Sequence, residues 1–265
     1  MNGPDFYDNA EVFGAYQATR EGADDLNALI EAPAVRAFTG DVSGLDVLEL
    51  GCGDARYGKE LLLNGARSYT GLDGSERMAS RARDELREFQ RGAVTHRRLE
   101  EWRSAPGQYD LVVSRMTLHY LEDLKSVLKE VYKTLRPEGR LVVSVEHPVV
   151  TCHYRDNPQG GIPSSWIVTE YFVDGPRTCE WLGSEVTKFH RTIQQWLTDL
   201  RRAGFTLLDL DEGEIGLRNV QGESRAGAEE PRRLVPMYLT LLAEAASAER
   251  SCGVEPRLQR SERID

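Results

Sequence analysis

No two of this chain's four cysteines, Cys52, Cys152, Cys179 and Cys252, stand in a CxxC pair or at a regular spacing. That argues against a zinc ribbon or a disulfide framework and suits free thiols in a reducing compartment. His147, Cys152, His153, Cys179 and His190 crowd one stretch but contain no paired ligand spacing, so no metal is expected. The chain also lacks a run of about 18 apolar residues, the least a membrane helix needs. The opening MNGPDFYDNAEV has no basic segment leading into an apolar core, so it does not read as a secretory signal. A cytoplasmic protein is expected. Basic charge is scarce as well: 33 Lys and Arg stand against 43 Asp and Glu, a net charge of −10. The pairs Arg97-Arg98, Arg201-Arg202 and Arg232-Arg233 are short and lie among acids. Neither nucleic acid nor a membrane surface is therefore an expected partner.

What is present is an alternation of short apolar strands with amphipathic helices. Strands are predicted at 45–50, 68–73, 93–99, 109–114 and 139–146, with helices near 55–64, 75–90 and 123–135 between them. Strands separated in this way imply βαβ units and a doubly wound, mostly parallel α/β sheet. A helical pattern over residues 9–38 precedes it. Residues 147–187, with four prolines and many aromatics, break the alternation and read as an insertion or lid. A helix is predicted over 188–203, then strands at 205–212 and 237–245. The expected organisation is one domain over 1–246 with a helical cap at 1–40, followed by a disordered polar tail at 247–265.

The chemistry concentrates at VLELGCGDARYG, residues 47–58, where the first strand ends in a glycine turn. Gly51 and Gly53 let backbone approach a ligand where a Cβ would collide. Asp73, 22 residues beyond Gly51 at the end of the second strand, is placed to accept both hydroxyl hydrogens of a ribose. The third glycine of a dinucleotide fingerprint is missing, since Arg56 stands at that position, and no G-x-x-x-x-G-K-[ST] occurs. Glu49 and Asp54 would repel a pyrophosphate and suit a ligand bearing an ammonium and a sulfonium.

With YTGLDGSERM (69–78), YDLVVSRMTLHYLEDL (109–124) and LRPEGRLVVSVEHPV (135–149), the loop resembles the class I S-adenosylmethionine-dependent methyltransferases, in particular their bacterial small-molecule, specialised-metabolite branch. The resemblance covers residues 45–149 and implies a seven-stranded Rossmann-like methyltransferase sheet, S-adenosylmethionine as cofactor and S-adenosylhomocysteine as product. It implies that Gly51, Cys52, Gly53 and Asp54 line the methionyl end and Asp73 the ribose. Gly74, Met78, Leu99 and Glu100 would lie beside the adenine, with Ser114 at the fourth strand's end. Arg98 departs from the acidic residue often found there, which makes Glu100 the substitute partner for the adenine amino group.

The acceptor is expected to be a small molecule, because the Asn/Asp-Pro-Pro-Tyr signature of nucleic-acid amino-methyltransferases is missing. Tyr7 and Tyr16 are candidates to face the sulfonium, and Arg20 to meet the cofactor carboxylate. His119 and His147 are candidate bases. Tyr7, Met116, His119, Trp166 and Tyr171 are candidates to hold the acceptor. These readings favour methyl transfer to a nitrogen, carbon or oxygen of a small ring-bearing metabolite by in-line displacement. The alternative is a non-catalytic module that only binds the cofactor. A homodimer is a base-rate expectation.

Overall fold

The computed structural model describes residues 1–21, 27–152, 167–213 and 235–246. Trp166 and the tail from 247 lie outside these residues. Five strands run parallel: β1 (Asp46–Leu50), β2 (Ser68–Asp73), β3 (Gly92–His96), β4 (Tyr109–Arg115) and β5 (Leu135–Glu146). β8 (Phe205–Asp211) and β9 (Tyr238–Ala245) complete a sheet of order β3-β2-β1-β4-β5-β9-β8, with β9 antiparallel to both of its neighbours. β1, β4 and β5 carry nearly unbroken Val/Leu runs that are buried on both faces, as a helix-covered parallel sheet requires.

One face packs Leu61 and Leu62 of α4 (Arg56–Leu63) and Ala82 and Leu86 of α5 (Glu76–Leu86) against Val47, Leu111 and Val113. The other face packs Leu128 and Val131 of α6 (Leu124–Thr134) with Trp196 and Leu200 of α8 (Ile193–Ala203) against Leu48, Leu141 and Leu239. Polar caps fix where these helices start: Ser75, Asp123 and Thr192 each accept a backbone N–H from the residue three positions on. Strand order reverses at β1, which lies between β2 and β4. The crevice beyond the carboxyl ends of β1 and β4 is thus the topological switch point where such sheets bind ligands.

The helical cap differs from the predicted 9–38 pattern by starting earlier. α1 (Gly3–Asp8) begins at Asn2, whose side chain accepts Asp5 N at 3.1 Å. α2 (Ala10–Glu21) follows, then a π-turn at Asn27–Glu31 and α3 (Ala32–Thr39). α1 lies across the crevice and is pinned at both ends. Ser75 Oγ donates to Asp8 at 2.6 Å and Arg98 pairs with Asp5, while Gly3 sits so close to Tyr120 that a Cβ would come within 2.8 Å of its ring. Buried Glu31 accepts from Arg115 Nε at 3.1 Å and from Ser144, locking the π-turn to β4 and β5.

Two predicted boundaries are corrected. The third strand stops at His96 rather than 99, because Arg97 and Arg98 turn toward solvent and α1. Residues 188–190 belong to a strand, not to a helix. β6 (Gly175–Trp181) and β7 (Ser184–His190) form a two-stranded antiparallel ribbon that occupies the C-terminal part of the predicted insertion, and α7 (Pro148–Thr151) occupies its start. β7 turns Val186, Lys188 and His190 inward. A lysine at an inward position hides the period-two pattern that would have marked the strand.

Gly58 has a packing role. A Cβ there would lie 2.1 Å from the ring of Tyr69, which is itself fully buried. Gly58→Ala is therefore expected to cost about 1–3 kcal/mol by overpacking. Urea unfolding should show a lowered midpoint at constant m-value.

Candidate functional site

At the end of β1 the backbone folds back on β2, with Gly51 N and Cys52 N both donating to Leu72 O, at 2.7 and 2.9 Å. Gly51 has φ +69°, and a Cβ there would overlap Thr117 Oγ1 at 2.1 Å, so only glycine fits. Gly53 has φ +55° with open space where its side chain would be. Its N–H donates to Asp73 Oδ2 at 2.8 Å, and Ser75 N donates to Oδ1 at 2.8 Å. Each carboxylate oxygen thus retains lone-pair capacity, and desolvation pushes the Asp73 carboxyl up to about 6. A bare glycine edge beside a carboxylate with lone pairs to spare fits an adenosine-type ligand, whose ribose offers two hydroxyl donors.

The two acids of the loop part company. Glu49 is buried, takes a hydrogen bond of 2.6 Å from Tyr69 OH and is pushed up to about 7 by desolvation. It belongs to the sheet interior rather than to the crevice. Asp54 lies in the loop with Oδ1 accepting Arg56 N at 3.3 Å and Oδ2 3.0 Å from Arg56 Nε, a contact not aligned as a hydrogen bond. The Cys52 side chain packs into the core, leaving only its backbone in the loop. Arg56 also donates to Arg20 O at 3.4 Å, tying the loop to the end of α2. Near that end the Gln17 side-chain nitrogen is buried with no hydrogen-bond partner among the described residues. Gln17 was missed in the sequence; its place one turn before Arg20 on the same helix was the available signal.

On the β2–β3 side, Gly74 passes directly under Pro4 of α1, where a Cβ would come within 2.7 Å of the proline ring. Met78 and Leu99 are buried, whereas Glu100 is exposed. Arg98, the departure from the family pattern, is engaged with Asp5 and so serves the cap. Ser114 donates to Leu50 O at 3.1 Å. Met116 holds φ +50°, a strained geometry for a side chain with a Cβ, at the end of β4 beside the crevice.

The acceptor-side candidates divide into two groups. Tyr7 and Tyr16 meet edge to face at 5.2 Å between ring centroids, and Tyr7 OH lies 3.3 Å from Tyr120 OH. His119 stacks beside Tyr120 at 4.4 Å, with Nδ1 accepting Glu146 N at 3.4 Å. Burial holds the His119 ring down at about 3, so it stays neutral and takes up a proton poorly. Lys188, with its side chain 5% exposed, reaches this group from β7 and donates to Glu146 at 2.5 Å. Burial pushes Tyr7 and Tyr120 up, reinforced by Tyr120 beside Tyr7 and by the Glu146 carboxylate beside Tyr120, so both keep their hydroxyl protons. Tyr120, Glu146 and Lys188 are additions to the sequence reading. Tyr120 stands next to His119, while Lys188 was hidden by the misplaced helix.

His147 and Tyr171 are not brought into this group by any described contact. His147 caps α7 through Val149 N at 3.1 Å and binds Glu212 at 2.9 Å, so both ring nitrogens are engaged. Tyr171 packs on His190 at 5.7 Å, and its carbonyl bonds to the His190 ring. Among the described residues no three His, Cys, Asp or Glu side chains converge as a metal site. No described helix is long and apolar enough to cross a membrane.

Residues 48–141 match the family model described as a methyltransferase domain. The crystal structure of an S-adenosylmethionine-dependent methyltransferase from Mesorhizobium loti is 30% identical, with 85% of this chain covering 99% of that one at a TM-score of 0.72. A demethylmenaquinone methyltransferase from Lactococcus lactis is 31% identical over 144 residues, 48% of this chain and 55% of that protein. A ubiquinone biosynthesis O-methyltransferase from Pseudomonas aeruginosa is 31% identical over 107 residues, 39% and 45% of the two chains. The last two matches span about half of each relative, and what those proteins act on is said of them alone. The chain belongs to the S-adenosylmethionine-dependent methyltransferases, and S-adenosylmethionine is its cofactor.

Proposed function

We propose that this methyltransferase transfers the methyl group to a nitrogen, carbon or oxygen of a small ring-bearing metabolite. The carrying observation is the cluster of Tyr7, Tyr16 and Tyr120, which lies between α1, α2 and the end of β4. In this reading Gly51, Gly53, Asp54 and the Cys52 backbone hold the methionyl end, with Tyr16 and Arg20 above it. Asp73 holds the ribose, and Gly74, Met78, Leu99 and Ser114 border the nucleoside. The cofactor supplies an electrophilic methyl on a sulfonium. The protein's part is alignment and exclusion of water, because in-line transfer gains most from a fixed approach. In this reading the described parts of 1–40 and 147–187 form the acceptor-side roof over one catalytic domain, and aromatic walls favour a planar acceptor and a nearby cation.

Release of S-adenosylhomocysteine on adding a fractionated metabolite extract tests catalysis. Tyr7→Phe is expected to lower kcat/KM about tenfold through loss of one hydrogen bond. Cofactor binding without any extract-dependent release would leave a binding module instead.

Asp73 generates a pH prediction with a definite sign. Ribose hydroxyls donate to the ionised carboxylate, so binding requires deprotonation of a group held at about 6. Affinity for S-adenosylhomocysteine should be level near pH 7–8 and weaken by about tenfold per unit once pH falls below about 6. Asp73→Asn should weaken binding by about 10–100-fold, the loss of charged hydrogen bonds, and flatten this dependence. Calorimetric titration across that range decides it; a wild-type affinity unchanged down to pH 5 would contradict the ribose role.

A further inference from the structure

Lys188 is placed where a structural lysine gains little. Its side chain is 5% exposed, and its ammonium lies 5.8 Å from the Trp181 ring and 6.0 Å from the Tyr120 ring. Among the described residues its one hydrogen-bond acceptor is Glu146, at 2.5 Å, although an ammonium carries three N–H donors. A buried ion pair contributes little net stability, because desolvation offsets its attraction. This pair bridges β5 and β7 at the carboxyl edge of the sheet, beside Tyr7, Tyr16, His119, Tyr120 and Cys179. Tyr7 and Tyr120 share one hydroxyl hydrogen between them, which leaves the other without an acceptor among the described residues. The cluster therefore presents surplus donors and one carboxylate, a set that matches an oxygen about to become an anion. An amine acceptor would meet the ammonium as a like charge.

We propose that Lys188 is the specificity-determining residue of this methyltransferase, selecting acceptors whose reacting group is a hydroxyl on an aromatic ring and holding that oxygen as its anion. The inference rests on the methyl-transfer reading and narrows its acceptor. The hydroxyl proton passes to Glu146, and Lys188 with the spare tyrosine hydroxyl holds the oxyanion. For transfer to oxygen, a lone pair forms the new O–CH3 bond as the bond from methyl to sulfur breaks, and that pair stays on sulfur. For transfer to a ring carbon ortho to the oxygen, the same anion delivers its π electrons and the displaced ring proton leaves to solvent. Lys188 serves either outcome.

The test uses the full chain saturated with S-adenosylhomocysteine, with 4-nitrophenol and 3,4-dihydroxybenzoate as phenol probes and 4-nitrobenzylamine, a cation at neutral pH, as the amine control. Absorbance titration reads the ionisation of bound 4-nitrophenol. Wild type is expected to bind the phenols, to hold 4-nitrophenol with at least a tenfold reduced proton affinity, and to ignore the benzylamine. Lys188→Arg should keep the shift and Lys188→Met should abolish it. Lys188→Met/Glu146→Leu removes both charges together and covers the case where the single variant misfolds. All variants should bind S-adenosylhomocysteine as wild type does. A shift that survives loss of Lys188, tighter binding of the benzylamine, or no phenol binding to the loaded protein overturns the proposal. Failure of wild type to bind S-adenosylhomocysteine at all would instead overturn the site reading beneath it.

Discussion

The structure of this site depends on one carboxylate held between two backbone N–H groups. Asp73 takes Gly53 N and Ser75 N on separate oxygens and thereby staples the glycine turn after β1 to the start of α5. Without it the turn keeps its bonds to Leu72 O but loses the contact that holds its second glycine, and α5 keeps its Ser75 cap but loses the anchor beside it. The same group is the one best placed to receive a ribose. Its burial is therefore both a structural cost and a preparation, since a desolvated carboxylate gains more from each donor that reaches it.

From that staple the cap is built outward. Ser75 Oγ donates to Asp8, Gly74 lies under Pro4, and Arg98 grips Asp5, so α1 is positioned by the same β2–α5 corner that positions the cofactor loop. Its far end abuts Tyr120, and Phe6 and Val12 complete a small core with Val186 of the ribbon. Thr187 N also donates to Met1 O, which adds the first residues to the ribbon's edge. In the proposed reading donor side and acceptor side share one roof, so a change in the seating of α1 would alter both.

The sheet was legible because β1, β4 and β5 are apolar runs between helices, a pattern that burial on two faces imposes. The glycine turn and Asp73 were legible because they fall at strand ends, where backbone geometry leaves few alternatives. The buried polar cluster around Lys188 was not, and the reasons are physical. His119 and His147 attracted attention as titratable groups near strand ends, yet burial makes one a poor base and the other caps α7. Lys188 was overlooked because a charge at an inward strand position breaks the alternation by which strands are recognised. Its partner Glu146 lies 42 residues away, a distance no local pattern spans. Arg98 read as a departure from a cofactor pattern until Asp5, 93 residues earlier, gave it a partner.

The distribution of buried charge also bears on the chemistry. Asp54 and Asp73 surround the place assigned to a cationic donor, and Lys188 with the tyrosines marks the acceptor side. In the proposed reaction a sulfonium and an aromatic oxyanion enter, and for transfer to oxygen a thioether and an ether leave, so the step removes one charge of each sign. Opposite charges attract more strongly as the local dielectric falls, and a transition state in which they neutralise one another is favoured by a site that excludes water. A roof of α1, α2 and the ribbon that keeps Lys188 nearly dry is thus more than a lid against side reactions. It makes the loss of charge during transfer a source of rate, provided the acceptor proton has a carboxylate to go to, and Glu146 stands 2.5 Å from the ammonium that would hold the anion.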